Sequence, residues 1–107
     1  MAFVEVYYRN ARIGIEHFKR EFYISERLTG ELFWYTGERP KSGGGVFKIW
    51  VQMADTTPRI TPVLPDWQLF IDGVRQESKF YDSLEDLSGR IVELRYKEYK
   101  FVFHFEG

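Results

Sequence analysis

Apolar and polar residues alternate with a period of two along most of this chain, and that confines it to β-structure. Val4, Val6 and Tyr8 alternate with Phe3, Glu5 and Tyr7. Phe47, Ile49, Val51 and Met53 alternate with Val46, Lys48, Trp50 and Gln52. Side chains two residues apart share one side of a strand, so each run offers one face to a core and leaves the other for a different use. Residues 31–36, Glu-Leu-Phe-Trp-Tyr-Thr, read as a strand that is apolar on both faces.

Two hairpins follow from turn chemistry and parity. Asp72-Gly73 between two alternating runs is a strong signal for a type I′ turn. It predicts Ile71 opposite Val74 and Leu69 opposite Gln76, with Trp67, Leu69, Ile71 and Val74 on one face. Phe70 then falls on the other face, opposite Arg75. Near the C-terminus, a loop at Glu98-Tyr99 places Tyr96 opposite Phe101, Leu94 opposite Phe103 and Val92 opposite Phe105. All six share one face, while Arg95, Lys97, Lys100, Val102 and His104 take the other.

One short helix is expected near 82–88, with Asp82 or Ser83 as cap, Leu84 and Leu87 on one face, and Gly89 as terminator. Residues 13–24 fit either element. Ile15, Phe18 and Phe22 suit a helix face, but β-branched and aromatic residues dominate and Gly14 disfavours a helix, so strands are expected. The glycine-rich stretch 37–45 reads as a loop, and 54–66, with Pro58, Pro62 and Pro65, as an extended connection.

Size and composition fit a single domain spanning 1–107. Aromatic residues make up 19% of the chain, ten Phe, seven Tyr and three Trp, and such side chains bury enough area to build a core without cross-links. There is no cysteine, which excludes disulfides, thiol catalysis, iron–sulfur clusters and cysteine-ligated zinc. The formal charge of −1 argues against a simple phosphate-backbone binder, so nucleic acid is not the expected partner. No apolar stretch approaches the ~20 residues of a membrane span, and no basic segment followed by an apolar run marks a signal peptide. A soluble cytoplasmic protein is expected, with no membrane contact.

The motifs carry little chemistry. Thr36-Gly37-Glu38-Arg39-Pro40 resembles the linker between zinc fingers, yet without cysteine there are no fingers to link. Gly43-Gly44-Gly45 leads into a strand instead of a helix, unlike a phosphate-binding loop. His17 and His104 are the only histidines and show no metal-ligand spacing. Nothing resembles a nucleophile elbow. Glu85 and Asp86 suit the N-terminal dipole of the short helix better than an acid/base pair.

Trp50 stands out. It lies opposite the apolar face of its strand, between Lys48 and Gln52. Tyr7, Phe70 and one of Phe33 and Trp34 are similarly placed. These rings form either a second apolar layer or an exposed platform, and aromatic and Arg anchors dominate protein interfaces. Tyr35, Arg39 and Lys41 are expected beside Trp50 and Lys48 through hairpin pairing of their strands. Those five residues are the candidate partner site.

The sequence therefore predicts a mainly β domain of six to eight antiparallel strands in a curled sheet, barrel or sandwich. A helix at 13–24 would make it α+β. The favoured function is a non-catalytic binding protein acting on another macromolecule, a protein first, of the inhibitor, immunity or phage-accessory kind. No cofactor and no metal are expected. The alternative is a domain that stacks carbohydrate or single-stranded nucleic acid on its rings. A small hydrolase or isomerase using His17 or His104 comes third.

Overall fold

Strand pairing organises the chain into two antiparallel sheets with a shared core. The computed structural model describes residues 2–18, 21–36, 45–54, 57–60, 66–76 and 87–105. The strands are β1 (Ala2–Tyr8), β2 (Ala11–Phe18), β3 (Glu21–Arg27), β4 (Leu32–Thr36), β5 (Gly45–Ala54), β6 (Thr57–Ile60), β7 (Gln68–Ile71), β8 (Val74–Arg75), β9 (Ile91–Tyr96) and β10 (Tyr99–His104). One sheet runs β2-β1-β10-β9-β7-β8 and is not closed. The other is the β3–β4 hairpin, continued through backbone pairing by β5 and β6 in the order β4-β3-β5-β6. The fold is mainly β, as the alternation requires. Residues 13–24 supply strands, which removes the α+β alternative.

Parity decides what is buried. Val4 and Val6 of β1, Phe101 and Phe103 of β10, Val92 and Leu94 of β9, and Leu69 and Ile71 of β7 all point to the inner side. Phe22, Ile24, Leu32 and Trp34 of the second sheet meet them there. The packing is largely aromatic. Phe22 stands edge-on to Phe103 at 5.5 Å, Trp34 edge-on to Phe101 at 5.7 Å, and Trp67 stacks on Tyr96 at 4.5 Å. Offset and edge-to-face rings gain roughly 0.5–1.5 kcal/mol per pair beyond the area they bury. Trp34 is thus the inward member of the Phe33/Trp34 pair.

The Asp72-Gly73 turn has the expected form. Both residues take positive φ, 49° and 82°, and Ile71 faces Val74. Val74 shares the core parity but stays exposed, because β8 is a two-residue strand at the edge of the sheet among the described residues. The C-terminal hairpin differs from expectation by two residues. Its loop is Lys97-Glu98, so Tyr96 faces Tyr99, Leu94 faces Phe101 and Val92 faces Phe103. A shift of two preserves parity, so Phe101, Phe103 and Phe105 are buried and His104 is not. Lys97 adopts φ of 54° there, a conformation glycine usually supplies.

Pro58 occupies the edge strand β6, where a missing N–H leaves no ladder bond unmade, so part of the expected connection is itself a strand. The expected helix near 82–88 lies outside the described residues except at its end. There, Arg90 N–H donates to the Leu87 carbonyl, Leu87 is fully buried, and Gly89 has φ of 71°. The 37–44 part of the glycine-rich loop also lies outside them.

Candidate functional site

The outer face of the six-stranded sheet brings together residues distant in sequence. Directly opposed residues of antiparallel strands share a face, so the registers define transverse rows. Across β2, β1, β10, β9 and β7 the first row reads Arg12, Tyr7, Lys100, Arg95 and Gln68. The second reads Ile15, Glu5, Val102, Glu93 and Phe70, with Arg75 beyond on β8. The third reads His17, Phe3, His104 and Ile91. A bulge between Val6 and Tyr7 shifts the β2 register and adds Ile13 to the exposed side chains of that edge.

Each ring on this face carries a polar neighbour. Lys100 Nζ lies 4.5 Å from the Tyr7 ring centre, and the Arg95 guanidinium lies 4.3 Å from that of Phe70. Phe3 stacks on the His104 imidazole at 4.2 Å with the rings nearly parallel, and touches His17 at 5.7 Å. Glu5 ties the rows together. Its Oε1 lies 2.8 Å from His104 Nε2, while Oε2 accepts from the Tyr7 hydroxyl at 3.1 Å and from Arg12 at 3.3 Å. These contacts, His104 foremost, hold the Glu5 carboxyl below its ordinary range against the opposing effect of burial. The same Glu5 pushes the Tyr7 phenol up.

A groove of about 480 Å³ opens where this face meets the hairpin tips. Arg9, Arg95, Lys97 and Lys100 line it with one carboxylate, Glu98, and the amides of Asn10 and Gln68. Two tips are locked together here. Arg9 N–H donates to the Glu98 carbonyl at 2.9 Å, and its guanidinium meets the Glu98 carboxylate at 3.0 Å. Arg9 and then Tyr8 lower the Glu98 carboxyl, and Glu98 raises Arg9 in return. On the other side Lys97 reaches across to Glu26 of β3 at 2.5 Å, which also accepts from the Tyr96 hydroxyl at 2.8 Å. Glu26 is buried, and Lys97 more than offsets the desolvation that would otherwise raise its carboxyl. The Arg9-Asn10 turn, with φ of 50° and 65°, has the signs of type I′ and is served by Asn10.

Of the five candidate residues read from sequence, Tyr35, Lys48 and Trp50 fall on strands of the second sheet. Tyr35 and Trp50 are not hairpin partners, because β3 runs between their strands. The register still aligns them. Tyr23 faces Tyr35 on one side and Trp50 on the other, and Ser25 likewise faces Phe33 and Lys48. Tyr23 is buried and stacks on Tyr35 at 5.1 Å; Phe33 follows at 6.1 Å under the Arg27 guanidinium. The Tyr35 hydroxyl is buried and has no hydrogen-bond partner among the described residues. For Lys48 and Trp50 only the backbone is described. Arg39 and Lys41 lie outside the described residues.

The Tyr7 hydroxyl, which touches the Glu5–His104 pair, donates to Glu5. Among the described residues, no group of three or more His, Asp or Glu side chains could hold a metal ion, and no helix is long and apolar enough to cross a membrane. The sequence places Arg95, Lys97, Lys100, Val102 and His104 on one face, and all but Lys97, which sits in the hairpin loop, take the outer side. It did not reveal the strand order that sets Arg12 and Tyr7 beside them. Asn10 was the available signal for the first turn, and through it for the position of Arg9. No protein-family model, curated protein or solved structure matches the chain.

Proposed function

We propose that this chain is a small non-catalytic binding domain that holds a protein partner against the outer face of its six-stranded sheet. The observation that carries this reading is a mixed surface. Ile13, Ile15 and Ile91 are 51%, 47% and 46% exposed beside rows that carry Arg12, Arg75, Arg95, Tyr7, Phe3 and Phe70. Large apolar groups beside Arg and aromatic anchors are the composition of protein-binding hot spots. An inhibitor, an immunity protein or a phage accessory protein would need such a face and no catalytic centre. Capture from the native host with the wild-type chain and with Ile15→Asp tests the reading. A protein retained by the first and lost by the second supports it; equal retention by both overturns it.

A second location is favoured by one observation, the register that aligns Tyr35, Tyr23 and Trp50 in a single row. With Lys48 in the next row and Arg39 and Lys41 following β4 in sequence, it would form an aromatic–basic strip for a protein, a glycan or a single strand, reached through the partly exposed Tyr35 because Tyr23 is itself buried. Trp50→Ala separates the uses of that row. Lost binding with an unchanged melting temperature makes it a partner site. A sharply lowered melting temperature makes it a second layer of the core.

A further inference from the structure

We infer that the groove at the hairpin tips and the row Arg12–Lys100–Arg95 receive an extended acidic segment of the protein partner. This rests on the outer face being the binding face. The charge is local: the chain carries −1 overall, yet the groove is lined by four cations and a single carboxylate. Lys100 is the least committed of them. Among the described residues it has no carboxylate partner, only the Tyr7 ring. Asn10 and Gln68 add neutral donors and acceptors to the lining.

Chemistry favours carboxylates over a phosphate backbone. Arg9, Arg12, Arg95 and Lys97 each already pair with a carboxylate of this chain, Glu98, Glu5, Glu93 and Glu26. A partner's Asp or Glu can share the contacts of Arg9, Arg12 and Arg95 at small cost, whereas Lys97 stays committed to the buried Glu26. A polyphosphate footprint calls for cations without such neutralising neighbours. The rings of Tyr7, Phe70 and Phe3 are each covered by a cation or an imidazole, so none is a bare platform for bases. Geometry fits a peptide as well. Strands lie ~4.8 Å apart, so Arg12 on β2 and Arg95 on β9 stand roughly 14 Å from each other across the sheet. An extended segment rising ~3.4 Å per residue covers that distance in about four residues, with alternate side chains facing the row.

Fluorescence anisotropy with three labelled probes tests this on the whole folded chain. The probes are a peptide of alternating Glu and Ser, the same peptide with Lys in place of Glu, and a short oligothymidylate. The Glu peptide should bind, weaken as salt rises, and lose about tenfold in affinity with Lys100→Glu or Gln68→Glu. Both positions are at the surface, and an unchanged melting temperature confirms folding. No binding of the Glu peptide, equal binding of the Lys peptide, tighter binding of the oligothymidylate, or indifference to both substitutions overturns the inference. Host capture separates it from the broader reading. A protein kept by Lys100→Glu but lost by Ile15→Asp leaves the binding face standing and removes the acidic segment. Retention by both variants removes the face as well.

Discussion

The two faces of the six-stranded sheet share every backbone hydrogen bond and divide the chemistry between them. Inward, Val4, Val6, Val92, Leu94, Phe101 and Phe103 are completely buried and carry no polar atom. Outward, on the same strands, Glu5, Tyr7, Glu93, Arg95, Lys100 and His104 form a web of ion pairs and ring contacts. The inner face makes stability, since apolar burial is its largest source. The outer face contributes little, because exposed pairs are worth ~0–1 kcal/mol each. It is therefore free to be specified by something other than folding.

The largest expected effect tests the inner face. Phe103 touches Phe18, Phe22 and Phe105 at ring distances of 6.2, 5.5 and 6.1 Å. Phe103→Ala should cost about 3–5 kcal/mol in denaturant unfolding. Val102→Ala, one residue away and facing outward, should cost far less. Equal losses would break the contrast between the faces.

Glu26 comes next, as the one buried carboxylate among the described residues. Glu26→Ala removes the acceptor of Tyr96 and Lys97 and should cost about 1–2 kcal/mol. Its carboxyl is lowered in the folded state, so its contribution is complete above the ordinary glutamate value of 4.5 and fades as pH falls through the lower folded value. The melting temperature of Glu26→Gln should depend less on pH in that acid range than that of wild type. Parallel pH profiles would show that the pair between the sheets adds nothing.

Gly73→Val sharpens the role of the turns. Among the described residues nothing lies within 4 Å of the position a Cβ would take, so the expected penalty comes from φ at 82°. About 1 kcal/mol is expected by thermal or chemical unfolding. The smallest effect should come from the outer face. Lys100→Ala should change stability by no more than ~0.5 kcal/mol. A larger loss would make that row part of the structural frame.

What the sequence disclosed and what it hid divide along a physical line. Period two and the Asp72-Gly73 turn are local, so the strands, the I′ geometry and the buried parity of Phe101, Phe103 and Phe105 were legible. Neither Lys97-Glu98 nor Glu98-Tyr99 has glycine or asparagine to mark the loop. The choice between them is consistent with distant contacts, Lys97 to Glu26 and Arg9 to Glu98, and so the register was missed by two. The expected site at Trp50 and Tyr35 assumed adjacent strands, and β3 intervened. The outer row draws on residues 12, 7, 100, 95 and 68, which only the strand order unites. Net charge averaged the basic groove away.

Pairing β1 with β10 has a mechanical consequence. Glu5 and His104 meet across 99 positions, and the two strands run antiparallel with Phe3 and His104 side by side at one end. A force drawing Phe3 and His104 apart therefore meets the ladder at its end. It opens one bonded pair at a time, as a zipper does, where a sheared ladder would resist with all its bonds together. Under tension the β1–β2 and β9–β10 hairpins should part from each other before either unravels, exposing the aromatic interior at low force. Reassembly should be slow, because the closing contacts are the most distant in sequence.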